Sequence, residues 1–97
     1  MILAEVTYVP VGKGTSASIY VNAALEEFKK TGIKFYTNSM GTVLEAETMD
    51  SIFEAVKKGE ERILDMGIKR VETYVKIDHR TDEENSVEKK MKEIRIK

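Results

Sequence analysis

Asn38-Ser39-Met40-Gly41-Thr42-Val43-Leu44-Glu45-Ala46-Glu47 is the stretch on which the fold turns. Its first four residues are turn formers: Asn and Ser bond their own backbone, and Gly41 can take a positive φ. The next six alternate, with Thr42, Leu44 and Ala46 on one face and Val43, Glu45 and Glu47 on the other. Upstream, residues 33–38 form a second extended run. Two strands joined by a four-residue turn make a β-hairpin, and the periodicity on both flanks is helical.

Further upstream, residues 2–10 alternate as a strand that Pro10 closes. Ile2, Ala4, Val6 and Tyr8 form its expected core face, and Leu3, Glu5, Thr7 and Val9 point away. A glycine-rich loop follows, and then a helix with the stripe Val21, Ala24, Leu25 and Phe28, ended by Gly32. Downstream, Thr48 is a candidate cap and Asp50 suits the positive end of a second helix. Its apolar stripe is Met49, Ile52, Phe53, Val56, Ile63 and Met66, with Gly59 on the same face where a neighbour passes close. Residues 68–78 read as a fourth strand. Thr81 and Glu84 have the spacing of a capping box, ahead of a short helix that turns Val87, Met91 and Ile94 inward.

A weak repeat organises these elements: Gly32-Ile33-Lys34 recurs as Gly67-Ile68-Lys69. Two β-α-β units in tandem, with right-handed crossovers, give a four-stranded antiparallel sheet under two helices. The expected class is α+β, a ferredoxin-like sandwich of order βαββαβ with an extra C-terminal helix, one domain over residues 1–97. Its open sheet face carries Leu3, Val9 and Val43 among polar residues, which points to a subunit partner.

Composition narrows the function. Sixteen basic against seventeen acidic residues leave a net charge of −1, so no basic field collects nucleic acid or anionic membrane. Cysteine is absent, which excludes disulfides, thiol catalysis and thiolate-ligated metals. Met1-Ile2-Leu3-Ala4-Glu5 is not the start of a signal peptide, and no apolar run approaches the ~20 residues of a membrane span. The expectation is a cytoplasmic protein without a cofactor.

Three stretches carry candidate chemistry. Gly12, Gly14, Ser16 and Ser18 lie between a strand and a helix N-terminus, where free N–H groups can hold an anion. The loop is neither a Walker A motif, since Lys13 is followed by Gly14, nor a G-x-G-x-x-G motif, since Ala17 stands at the third glycine. A flexible connection with a Ser or Thr cap is the alternative, and the plainer one. Glu45 and Glu47, with Glu5 and Thr7 nearby, could hold a cationic or amine-bearing ligand or act as an acid–base pair. A solvated face or inter-subunit salt bridges is the alternative. In Asp78-His79-Arg80-Thr81-Asp82, Arg80 could bind an anion or form a local ion pair, and the lone His79 makes no metal set.

Taken together, residues 4–10 with Gly12, Gly14, Ser16, Ser18, Tyr20 and Val21, then residues 38–47, then residues 78–82 resemble a known family. It is the family of small ferredoxin-like, thiamine-binding proteins. The resemblance implies dimers through sheet contacts, often paired into tetramers. It also implies a pocket for thiamine or its hydroxymethylpyrimidine half at the hairpin strand and subunit interface. By position, Glu45 and Glu47 would serve the aminopyrimidine or the thiazolium, Asn38, Ser39, Met40 and Thr42 would line the pocket, and Glu5 and Thr7 would stand beside it. A non-catalytic binding protein is thus the leading expectation. An anion-regulated oligomeric protein using the glycine loop is the rival, and a small enzyme is the third.

Overall fold

A computed structural model describes residues 1–12 and 14–94; Lys13 of the glycine loop lies outside them. The elements are β1 (Ile2–Pro10), α1 (Ser18–Thr31), β2 (Lys34–Thr37), β3 (Thr42–Ala46), α2 (Met49–Asp65), β4 (Val71–Asp78) and α3 (Val87–Glu93). The strands form one antiparallel sheet in the order β2-β3-β1-β4. This is the expected ferredoxin-like α+β sandwich with a third helix at its end.

The inner sheet face and the helices α1 and α2 enclose the core. Ala4, Val6, Leu44 and Phe28 are almost wholly buried, as are Ile52, Ala55 and Ile63. Alternation along β1 and β3 puts these strand residues on one side, and the 3.6-residue period puts the helical ones opposite them. Leu44 or Phe28 cut to Ala would cost roughly 2–5 kcal/mol.

Several local expectations are corrected. Gly41 does not take a positive φ. A Cβ there would sit 2.9 Å from Thr7 Oγ1 and 3.2 Å from the Val6 carbonyl oxygen, so glycine is needed for close approach to β1. The strand after Gly67 begins at Val71, and Ile68 enters the core from the turn before it. In α2 the buried stripe is Ile52, Ala55, Val56, Gly59 and Ile63, while Phe53 and Met66 stand exposed. Phe53 is one residue, or about 100°, round the helix from Ile52 and so leaves the core-facing side.

The caps also differ in part. Thr48 caps α2 as expected, accepting from the Ser51 N–H at 3.1 Å. At α1 the N-cap is Ala17, which offers no side-chain acceptor. At α3 Ser86 is the cap, accepting from the Lys89 N–H at 3.0 Å. Thr81 and Glu84 lie in the preceding bend, where Arg80 grips Asp82 through Nε at 2.9 Å and Nη2 at 2.7 Å. The local ion pair, rather than an open anion site, is what that stretch builds.

Helix α3 lies against the outer sheet face. It hides Leu3, although its Met91 and the capping Ile94 that follows it remain more than half exposed. Seven residues make two turns, too short a helix to bury both over a sheet. Three polar contacts fix it: Glu45 Oε1 accepts from the Val87 N–H at 2.8 Å, Lys90 meets Asp78 at 2.8 Å, and the buried Asn85 donates to Asp78 at 3.3 Å. Among the described residues no helix is long and apolar enough to cross a membrane.

Candidate functional site

The residues expected to share one pocket divide among three places. The first is a cleft of about 230 Å³ between the hairpin, the end of β1 and α1. Asn38, Ser39, Met40, Thr42 and Thr7 all line it. Tyr8, Val21, Leu25 and Phe28 supply its apolar wall.

The hairpin shapes this cleft through its own hydrogen bonds. Asn38 Oδ1 accepts from the N–H groups of Met40 at 2.8 Å and Gly41 at 3.1 Å, and the Asn38 N–H donates to the Gly41 carbonyl at 2.9 Å. The turn is thus held from within, and the Thr7 hydroxyl ties it to β1 by donating to the Met40 carbonyl at 3.3 Å. Thr37 and Thr42, partners across the hairpin, share a hydroxyl–hydroxyl bond of 2.7 Å at the cleft. Below them the Tyr8 ring stands beside Phe28, 6.4 Å between centroids, with its hydroxyl donating to the Val56 carbonyl at 2.7 Å. Burial, and then the charge of Glu60, push the Tyr8 phenol well above its ordinary range, so it stays a neutral donor.

The second place is the opposite end of β3. Glu45 and Glu47 border an open depression of about 700 Å³ with Lys34, Asp50 and Glu54. Along a strand they are about 10 Å and 17 Å from Thr42. Glu45 is only 5% exposed and is already engaged by the Val87 N–H and, at 3.8 Å, by Lys34. Tyr36 first, then Glu45, hold the Lys34 ammonium above its ordinary value. Glu47 lies exposed in the bend after the strand.

The third place is a groove of about 470 Å³ under α3, where Glu5 joins Leu3, Val43, Lys76 and Lys90. Lys90, with Asn85, draws the Asp78 carboxyl below its ordinary value. Gly12, Gly14, Ser16 and Ser18 line none of these. Gly12 and Gly14 take φ of 95° and 85°, and the Ser16 and Ser18 hydroxyls bond each other at 3.3 Å. Among the described residues of 12–18, only Ala17 reaches the hairpin cleft. Among the described residues no cluster of His, Cys, Asp or Glu could hold a metal ion.

No charged side chain lines the hairpin cleft among the described residues. Its polar groups are hydroxyls and an amide, which both donate and accept. A cleft of this size falls below the roughly 300–1,000 Å³ that drug-sized ligands occupy. It suits one substituted ring that is neutral, flat and able to hydrogen-bond at its edge. Besides the apolar wall, two residues with polar groups were missed in the sequence, Thr37 and Tyr8. Thr37 had a signal, because a turn over residues 38–41 forces it opposite Thr42; Tyr8 had none beyond its place in the core.

The sequence pattern of the thiamine-binding protein family matches residues 4–95. The chain belongs to this family. Among its relatives, the UPF0045 protein MJ1052 of Methanocaldococcus jannaschii is 46% identical over 93 residues, covering 96% of this chain and 91% of that protein. A UPF0045 protein of Methanothermobacter thermautotrophicus is 43% identical over 98 residues, covering 100% and 99%. The crystal structure of the MJ1052 protein superposes with a TM-score of 0.87 over 94% of this chain and 92% of that one. A Thermotoga maritima protein, described as a candidate for thiamine biosynthesis or salvage, shares the fold with a TM-score of 0.81 over 97% and 98% at 20% identity. Membership accounts for the arrangement of strands and helices and gives a possible link to thiamine.

Proposed function

We propose that the protein is a non-catalytic binder of an aminopyrimidine: hydroxymethylpyrimidine itself, or thiamine held by that half. The observation that carries this is the uncharged, single-ring cleft at the hairpin. An aminopyrimidine presents ring nitrogens that accept and an amino group that donates, a match for the hydroxyls of Thr7, Thr37 and Thr42 and the amide of Asn38. The cationic thiazolium would stay outside, since a buried cation without a counter-charge is costly. Family membership and the description of the Thermotoga protein support the same ligand class.

The proposal includes a cytoplasmic homodimer, paired into a tetramer, joined through the outer sheet face. Val9, Tyr74, Met91 and Ile94 are exposed there. Glu5 and Asp78 lie beside Lys76 and Lys90, so a second copy turned by 180° can oppose unlike charges. Light scattering should give a mass of two or four chains, and a monomer at micromolar concentration would remove this part.

Calorimetry tests the ligand. Hydroxymethylpyrimidine and thiamine should bind with affinities within about tenfold of each other, and the thiazole alcohol alone should not bind. Absence of heat and of thermal shift at millimolar hydroxymethylpyrimidine would end the proposal.

A further inference from the structure

Gly59 lies outside the hairpin cleft, on the buried face of α2, yet it bears on the cleft through one side chain. A Cβ at position 59 would collide with the Tyr8 hydroxyl oxygen and lie 2.8 Å from Cζ and 3.1 Å from Cε2 of the same ring. Its three nearest neighbours outside the helix backbone all belong to Tyr8, so the tightest part of the clash falls on that ring. The ring of Tyr8 in turn lines the cleft, next to Phe28. Its hydroxyl is anchored one turn back on α2, at the Val56 carbonyl, 2.7 Å away.

A glycine inside a helix costs helix stability relative to alanine, so its presence on a buried face calls for a packing reason. Here the reason is a ring. The Tyr8 side chain is packed against α2 and Phe28, and the open space beside it is the cleft. A methyl group at position 59 therefore drives the ring in that direction.

We infer that Gly59 is a positioning residue for ligand binding: by leaving room for the Tyr8 hydroxyl against α2, it sets the depth of the cleft and hence the size of ring admitted. This rests on the aminopyrimidine proposal for the same cleft. It adds a specificity determinant distant in sequence from the cleft side chain it touches, Tyr8, in a helix that contributes no lining residue.

The test is calorimetry with hydroxymethylpyrimidine on the wild-type chain, Gly59→Ala, Tyr8→Phe and the double variant, at a temperature where circular dichroism shows each folded. Gly59→Ala should weaken binding at least tenfold. Tyr8→Phe in the Gly59→Ala background removes the atom in worst collision and should recover at least half of that loss on a logarithmic scale. A merely structural role for Gly59 predicts lower stability with unchanged affinity. Affinity of Gly59→Ala within twofold of wild type overturns the inference and leaves the ligand proposal standing, whereas a wild-type chain silent to the pyrimidine removes both. Should Gly59→Ala not fold, Tyr8→Phe alone decides: without its anchor the ring should cost about threefold in affinity, and an unchanged value overturns the inference.

Discussion

The two ends of β3 differ in what they can do, though the strand spans only Thr42–Ala46. At the hairpin end, Thr42 is 5% exposed and shares a bond with Thr37 inside a small uncharged cleft. At the other end, Glu45 is equally buried, but its carboxylate is spent on the first turn of α3, and Glu47 faces solvent. The family resemblance implied one site with carboxylates. The structure separates a concave, neutral end, suited to recognition, from a charged end that holds the chain together. A carboxylate that is buried and already satisfied has little left to offer a ligand.

The largest effect that would break this contrast is on stability. Glu45→Ala strips the Val87 N–H of its partner at a half-buried helix start and should lower stability by about 1–3 kcal/mol, read by thermal or urea unfolding. A variant as stable as wild type with weakened ligand binding would return Glu45 to the site. Next, Thr42→Val keeps the shape of the cleft and removes one hydroxyl. It should cost about 1–2 kcal/mol in pyrimidine binding, roughly 5–30-fold. Glu47→Gln, measured beside it, should change affinity less than twofold; the reverse ranking would refute the division drawn between the two ends. Ser86→Ala should then cost about 1 kcal/mol through loss of the α3 cap, visible as faster amide exchange in residues 87–93 and as no change at the cleft.

Acid provides the smallest effect. Arg80 first of all holds the Asp82 carboxyl down from 3.8 to about 2, and Lys90 lowers Asp78. Both are depressed in the folded state, so their contribution is present above the ordinary carboxylate value and is lost as pH falls below it, towards about 2 for Asp82. Exposure keeps it small. Unfolding of α3 followed by NMR should begin in that window, while the hairpin, whose internal bonds involve no titrating group, should hold to lower pH.

Much of the architecture was legible because it depends on period and punctuation. Alternation in residues 2–10 and 42–46 named the core faces, and Gly32 and Gly67 marked the ends of α1 and α2 within a residue or two. Thr48 was found as a cap because capping is local. Ser86 was missed because Thr81 and Glu84 have the same local pattern, and spacing does not reveal that residues 80–82 close an ion pair of their own while Ser86 caps α3. The candidate cleft was half legible. Asn38, Ser39, Met40 and Thr42 were named through the family resemblance of residues 38–47, and Glu45 and Glu47 were grouped with them because a strand pattern does not show which residues another element covers.

For residues 38–47, the sequence by itself determined a hairpin, its register and the face each side chain takes, because turn chemistry and a two-residue period act over short distances. Only the tertiary structure decided which end of that hairpin becomes concave. The close approach of Gly41 to β1, the Tyr8 ring seated against Gly59, and α3 closing over Glu45 each join residues far apart in the chain. Their outcome rests on packing between elements, where a single methyl group or one spent carboxylate settles what remains open to a ligand.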